Sequence, residues 1–563
     1  MSADQRCEAL TALVVGPAAG GTGDARVAIV GPDTRSVLDL PDACRLAERL
    51  EARRPRWVWW SATQALGPLV GAGIRPARAW DVAEAHRLLC GGWATTPGLT
   101  WAGAHDLQLD SVPGPPTGDL FEALNDDCAA LEANTLVRAD GHLRPDAVTG
   151  TWLTTDDRLL SWADALLDAA TAQRRRAGAT TGRLLETIYA ESAAAMLCVE
   201  LHHDGLPVDR AALLELVRPM SGPKQERDAL VLHHVPGREG TDLRNPAQVR
   251  DLLRAVGIDV PSTRKHVLEA FRDAHPIVPA LLAWRREERI ATTYGLRWID
   301  EHIGPDDRLR GRWTACDGAA GRMTAESGLH NLPAVLRPGI AAESGHVFVR
   351  ADLGQIEPRV LAVVSGDAAL MQATQADDLY APVAARLGVE RAIAKIAVLA
   401  AMYGQRSGAA GQALRGLERS YPVAMAHLDR AHLAGTRGEA VRTYGGRLIP
   451  TGRYLAAAPI GADPTLDAAR GRFARNAVIQ GAAAELFKAW AATVRATTRH
   501  LDARIVLCLH DELLVHVPRE HACQAAAAVD RALADASRRW SGGVPVRFVA
   551  DTSLIERWSD AKE

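Results

Sequence analysis

The chain has 563 residues, 47% of them hydrophobic and 24% charged, with 65 Lys and Arg against 68 Asp and Glu for a formal charge of −3. At roughly 100–200 residues per domain this length implies about three to five domains, and the composition excludes a disordered, collagen-like or disulfide-stapled chain. The near-neutral total would argue against a nucleic-acid partner only if charge were evenly spread. It is not: residues 1–170 carry 14 basic and 23 acidic side chains, whereas residues 381–480 carry 14 and 6. An acidic front end therefore masks a basic surface. The eight cysteines (Cys7, Cys44, Cys90, Cys128, Cys198, Cys316, Cys508, Cys523) form no C-x-x-C pair, and MSADQRCEAL lacks the basic-then-apolar order of a secretory leader. No uncharged apolar run looks able to span a bilayer. These features lead to the expectation of a reducing, cytoplasmic setting, with no membrane and no cysteine-based metal site.

In chain order, ALVV and RVAIVG read as short strands, PRWVWW follows them, and DVAEAHRLLC reads as a helix, so the first 170 or so residues are expected to form an α/β domain. The polar stretch TAQRRRAGATTG, around residues 171–182, is expected to be a linker. From there to about residue 310 the patterns are helical: LLETIYAESAAAMLCVELHHDG with Gly205 as its stop, NPAQVRDLLRAVG, and PALLAWRREERIATTYGLRWIDEHIG. Beyond residue 310 strands and helices alternate, with no internal repeat and no extended low-complexity tract.

The chemistry concentrates in that last part. VFVRADLGQIEPRVLAVVSG (347–366) sets Asp352 at the end of an apolar strand, before a helical run with Gln355, Glu357 and Arg359. ARIVLCLHDELLVHVP (503–518) reads as two strands with His510, Asp511 and Glu512 at the turn, where three polar residues avoid the cost of burial. Two strand-end carboxylates suit a clamp for paired hard cations in phosphoryl or nucleotidyl transfer, although either alone is equally an exposed loop acid. VERAIAKIAVLAAMYG puts Arg391, Lys395, Leu399 and Tyr403 four residues apart along one helix face. Two cations one turn apart are relieved by an anion such as a triphosphate, or are simply a solvated face. ARGRFARNAVIQGAAAELFKAW repeats the spacing with Arg472, Asn476 and Gln480, a stripe able to donate into a nucleic-acid minor groove or to face water.

Together these four segments, in this order, resemble the family A DNA polymerases, the DNA polymerase I type. Asp352 with Gln355, Glu357 and Arg359 looks like motif A; Arg391, Lys395, Tyr403 and Gly404 match motif B; Arg472, Asn476, Gln480 and Gly481 match the primer-template helix; His510-Asp511-Glu512 matches motif C. GRMTAESGLHNLP, with Arg322 and Asn331, is similar to the family's Thr-Gly-Arg-Leu-Ser-Ser…Leu-Gln-Asn-Ile-Pro stretch, one residue shorter. The resemblance covers about residues 185–563, and the arrangement also looks like the two-part actinobacterial polymerases with an exonuclease-like front end.

The resemblance implies an α/β and α+β multidomain fold: an RNase H-like, 3′-5′ exonuclease-like domain at 1–175, a thumb at 183–310, palm at 311–370 and 468–563, and fingers at 371–467. It implies a template-directed DNA polymerase of replication or repair, acting as a monomer on primer-template DNA and dNTPs in the cytoplasm, at the nucleoid. Asp352 and Asp511 would hold two Mg²⁺ ions, for which Mn²⁺ can substitute. Lys395 would join them in catalysis. Arg391, Lys395, Leu399, Tyr403, Gln355, Glu357 and His510 would bind the dNTP, with Glu357 as the steric gate against a ribose 2′-OH. Arg322, Asn331, Arg359, Arg472, Asn476, Gln480 and Glu512 would hold the DNA.

Some positions depart from the family. Leu353-Gly354 stands for Tyr-Ser, Pro358 for Leu, Leu399 for a stacking aromatic ring, Tyr380 for a histidine, His330 for Gln and Glu485 for Asp. The front domain lacks the exonuclease acids: RVAIVGPDTRS has no Asp-x-Glu, WVWWSATQALGPLVGAG has no acid, and SWADALLD offers only Asp164 and Asp168. Asp81 fits a position outside a metal site. An inactive front domain is therefore expected. Rival readings are a single-subunit RNA polymerase-like enzyme, against which Glu357 and the Arg-Asn-Gln helix argue, and a catalytically idle DNA-binding relative.

Overall fold

The computed structural model describes residues 9–17, 25–91, 95–112, 135–147, 152–180, 182–404, 410–453 and 459–561. Cys7 and Cys128 lie outside these; the other six cysteines are free. The chain divides into two compact units, one of Met1–Asp204, Arg312–Thr324 and Val349–Leu554, the other of Gly205–Gly311, Ala325–Phe348 and Ile555–Glu563.

The first unit opens with a five-stranded sheet: β1 (Leu10–Val15), β2 (Arg26–Gly31), β3 (Thr34–Asp39), β4 (Arg56–Trp59) and β5 (Ala79–Asp81), in the order β3-β2-β1-β4-β5. β1 to β3 pair antiparallel, while β1, β4 and β5 run parallel. Parallel strands are covered on both faces, and the sequence complies with a continuous apolar run in which Trp57, Trp59 and Trp80 are fully buried. At the end of β5 the buried Asp81 caps α1 (Val82–Cys90), accepting from the Glu84 amide at 3.0 Å and from the Ala62 amide at 2.7 Å.

The expected linker at 171–182 is a correction. Residues 171–180 complete α2 (Asp156–Thr180), and α3 (Gly182–Asp204) follows. Ala, Gln and Arg are strong helix formers. The inner face of this stretch is also anchored, because Gln173 accepts from the Trp80 indole at 2.9 Å and donates to the Val82 carbonyl at 3.0 Å. α3 stops at Gly205, whose φ of +65° suits a left-handed cap.

The same unit holds most of a second sheet, built of β6 (His346–Leu353), β7 (Arg504–Leu509), β8 (Glu512–Pro518) and β9 (Ala550–Ile555) in the order β7-β8-β6-β9. The same unit contains α4 (Ile356–Ser365), α5 (Arg391–Tyr403) and the 35-residue α6 (Pro464–Thr498), with α4 and α5 both packed on α6. α3 packs along α6 over a buried ionic seam. Glu191, 1% exposed, accepts from Lys488 at 2.5 Å and from Arg447 at 2.8 Å. Glu200 pairs with Arg495 at 2.5 Å one further stretch along. Burial opposes the charge on Glu191, yet the two cations hold its pKa below the ordinary value. Glu84, Glu191 and Cys316 come close enough to share a metal, but Lys488 and Arg447 already neutralise Glu191, so this cluster is an ion-pair network.

The second unit is helical around a core of Val249, Leu252, Leu253, Leu268, Leu281 and Trp284. The long helical run of the sequence is here two helices, Ile277–Thr293 and Leu296–His302, separated at Tyr294 and Gly295. The Tyr294 hydroxyl donates to the carbonyls of Gly328 (3.0 Å) and Asn331 (2.8 Å). No helix among the described residues is long and apolar enough to cross a membrane.

Removing one partner of a buried charge pair strands the other, which typically costs about 3–5 kcal/mol. Glu191→Ala, which strands Lys488 and Arg447, is expected to lower stability by about that amount in denaturant unfolding. Because the folded pKa of Glu191 is depressed, the stability it contributes is present above its ordinary carboxylate pKa and is lost as pH falls through the folded value. The difference between wild type and Glu191→Ala should therefore narrow in acid.

Candidate active site

Asp352 is the penultimate residue of β6, and the next amide, that of Leu353, donates to the Asp511 carbonyl at 2.9 Å. This bond sets the end of one strand beside the turn of the neighbouring hairpin. In that turn Leu509 pairs with Glu512, leaving only His510, with φ +51°, and Asp511 between β7 and β8. The three-residue polar tip expected from sequence is thus two residues long. Glu512 is the first residue of β8 and is buried, accepting from Arg350 at 2.6 Å.

Both aspartates are partly buried, and both carboxyls are pushed up to about 6. Desolvation is the main cause for each. The charge of Asp511 adds to the shift of Asp352, and that of Glu512 to the shift of Asp511. The result is a pair of hard oxygen donors in surplus negative charge.

A cavity of about 190 Å³ opens beside Asp511 and is lined by Arg322, Met323, Gln355, Ile356, Glu357, Pro358, Tyr380, Leu399, Gln480, Ala483, Ala484, Phe487 and His510. Seven residues singled out from sequence therefore share one wall system: Arg322, Gln355, Glu357, Leu399, Gln480, His510 and Asp511. Glu357 lies in the first turn of α4 and accepts from Arg322 at 2.7 Å and from Tyr403. Burial raises its pKa. Gln355 caps α4 with a left-handed φ of +56°. Its amide nitrogen donates to Asp378 at 2.8 Å, and its amide oxygen accepts from the Leu379 amide at 2.8 Å. Asp378 also accepts from the Arg391 guanidinium, so an anion already faces Arg391 at the start of α5.

α5 buries Ala394, Ala397, Val398 and Ala401 and turns Arg391, Lys395 and Tyr403 to solvent, with Leu399 half-buried at the cavity. At 1.5 Å per residue, the cationic end lies about 12 Å along the helix from Leu399. On α6, Arg472 is exposed, Gln480 reaches the cavity, and the Asn476 amide oxygen is buried without a hydrogen-bond partner. Asn331 is exposed and belongs to the other unit.

Two expected DNA contacts are corrected. Arg359 is fully buried and donates to the carbonyls of Gly354, Thr374, Ala376, Asp377 and Arg547. It is a clamp inside the fold, because five carbonyls left unpaired by loops converge on it. Burial lowers its pKa to about 10. Glu512 is likewise turned inward, onto Arg350. The sequence reading missed Arg350 and Arg475. Arg475 donates to the Ala401 carbonyl at 2.6 Å and to Asp429 at 2.5 Å, tying the C-terminal end of α5 to α6. In both cases the only sequence signal is an arginine in an otherwise buried run. Tyr380, named only as a departure, is a cavity wall; it is buried, and its phenol is pushed up to about 12, chiefly by desolvation. A larger cavity of about 520 Å³, lined in part by α3 and α6, includes Glu485 but none of the residues expected to bind metal, nucleotide or DNA.

Residues 237–560 match the family description DNA polymerase family A. A thermostable DNA polymerase I of Thermus thermophilus is 31% identical over 331 residues, covering 54% of this chain and 38% of that protein. DNA polymerase I of Chloroflexus aurantiacus is 31% identical over 315 residues, covering 50% and 32%. The chain thus spans about two fifths or less of the length of these curated relatives. Among solved structures, the POL domain of Pol1 from M. smegmatis, in complex with DNA primer-template and dNTP, superposes with a TM-score of 0.69 at 22% identity, over 98% of this chain and 96% of that one. The mixed α/β fold is that of a family A polymerase domain, and the chain belongs to DNA polymerase family A.

Proposed function

We propose that the chain is a DNA-directed DNA polymerase that adds dNTPs to a primer 3′-OH by two-metal nucleotidyl transfer. The observation that carries this reading is the apposition of Asp352 and Asp511 at the edge of a cavity walled by Glu357, Leu399 and Gln480. The M. smegmatis neighbour, captured with primer-template and dNTP, supports it. Family A DNA polymerases generally use divalent metal ions, and the donor set fits: two partly buried, hard carboxylates brought side by side at the strand ends. Asp352 and Asp511 would hold two Mg²⁺ ions, or Mn²⁺ in their place, which would supply Lewis acidity for the 3′-OH and the departing pyrophosphate.

The remaining roles belong to the chain. Arg391 and Lys395 neutralise the triphosphate, which displaces Asp378 from Arg391, and Lys395 gives a proton to the leaving pyrophosphate. Glu357, pinned by Arg322 and Tyr403, fills the space of a 2′-OH. Tyr403, Gln355 and His510 complete the nucleotide site, and Arg322, Asn331, Arg472, Asn476 and Gln480 grip DNA without choosing bases. In this reading residues 183–310 are thumb, 311–370 and 468–563 palm, and 371–467 fingers.

Residues 1–175 are proposed as an exonuclease-like domain without nuclease activity. Three antiparallel strands continued by two parallel ones support the RNase H-like reading. β1, β2 and β4 contain no acid, Asp81 is a helix cap, and Asp164 is spent on Arg35 at 2.9 Å.

Asp352→Asn and Asp511→Asn are each expected to reduce primer extension with dNTPs by about 10³-fold or more, equivalent to about 4 kcal/mol; retention of wild-type rates by either variant contradicts the assignment. Incubation of the Asp511→Asn variant with a mispaired primer and Mg²⁺ should show no shortening of the 3′ end. A ring at Leu399 would stack on a base, worth about 1–3 kcal/mol. Leu399→Phe should therefore lower the dNTP KM several-fold and alter dideoxynucleotide discrimination, and unchanged steady-state kinetics would refute that role.

A further inference from the structure

Arg350 lies two residues before Asp352 on β6, and the period of two along a strand puts both on one face. β6 runs between β8 and β9, so acids reach Arg350 from both sides. Its guanidinium donates to Asp352 at 2.7 Å, to Glu512 on β8 at 2.6 Å and to Asp551 on β9 at 3.3 Å. Arg350 is 8% exposed and its contact with Glu512 is buried, while Asp352 is partly exposed and Asp551 lies at the surface. The other arginine close to the acid pair, Arg322, is paired with Glu357. Arg350 is therefore the cation that faces Asp352 directly.

We propose that Arg350 is a positioning residue that sets how strongly the acid pair takes a divalent cation. This rests on the reading of Asp352 and Asp511 as the cation-holding pair. The fixed charge has two effects. It holds one carboxylate oxygen of Asp352 in a defined direction, and it opposes entry of a second positive charge into the same field. Glu512 and Asp551 anchor the guanidinium so that it stays beside Asp352 rather than swinging into solvent. Without nucleotide the pair binds a divalent cation weakly. The negative charge of an arriving triphosphate offsets the guanidinium, so full occupancy follows nucleotide binding. Removing the charge takes away the guanidinium shared by Asp352, Glu512 and Asp551, which makes the acid pair a stronger trap for a metal ion.

The test is Mn²⁺ binding to the full chain without DNA or nucleotide, read from the free-ion signal in electron paramagnetic resonance. Arg350→Met and Arg350→Gln should each bind Mn²⁺ about 10–100-fold more tightly than wild type, the range over which groups around a metal site tune affinity. Arg350→Gln keeps hydrogen bonding to the acids and serves if the methionine variant does not fold. Arg350→Lys should restore the weak binding of wild type, and adding Asp511→Asn to Arg350→Gln should abolish the gain. If the neutral variants bind as wild type does while Asp511→Asn in the wild-type background still weakens binding, Arg350 is only structural and the metal-site reading stands. If neither change affects Mn²⁺ binding, the acid pair is not the metal site, and both readings fall.

Discussion

The proposed site depends on the pairing of β6 with β8, which ends in a hydrogen bond from the Leu353 amide to the Asp511 carbonyl. This pairing joins the last turn of β6 to the tip of the β7–β8 hairpin and brings together two aspartates 159 positions apart in sequence. Everything near them follows from keeping that junction open on one side. The hairpin turn is short, His510 adopts a left-handed backbone, and Gln355 does the same on the other side of the cleft. Strain of this kind is held in place by surrounding structure and gathers at functional sites. Here the support is Arg359, whose five carbonyl contacts lock the segments that follow β6 and precede β9.

Charge is handled differently at the seam and at the cleft. Along α3 and α6 the buried acids Glu191 and Glu200 are matched by Lys488, Arg447 and Arg495, which satisfies them within the fold. At the cleft Asp352 and Asp511 keep raised pKa values, Asp352 being offset in part by Arg350. The seam acids are each held by a facing cation, whereas at the cleft Arg350 is shared among Asp352, Glu512 and Asp551. Glu191 is held by Lys488 and Arg447 and Glu84 by Arg87, which is why Glu84, Glu191 and Cys316, despite their proximity, are not read as a second metal centre.

Much of this was legible in the sequence because it depends on local periodicity. Strand-end acids, the four-residue spacing of Arg391, Lys395, Leu399 and Tyr403, and the stop at Gly205 are set by neighbours in the chain. What was not legible depends on contacts between distant segments. Arg359 has the pattern of a surface base, and only the convergence of loops at 374–377 and 547 makes it a buried clamp. The arginines of TAQRRRAG imitate a linker, whereas Gln173 and the alanines beside it anchor a helix to Trp80 and Val82. Glu512 looked like part of an open turn until the pairing of Leu509 with Glu512 placed it inside β8.

The central claim is that Asp352 and Asp511 together hold the divalent ions used in nucleotidyl transfer. The most direct measurement is anomalous scattering from Mn²⁺ in crystals of the chain with primer-template and a non-hydrolysable dNTP. The account predicts Mn²⁺ peaks within coordination distance of the Asp352 and Asp511 carboxylates, on the side of the cavity lined by Glu357 and Leu399. An ordered complex with no peak at these carboxylates, or with peaks confined to acids elsewhere such as Glu84 and Glu191, would contradict it.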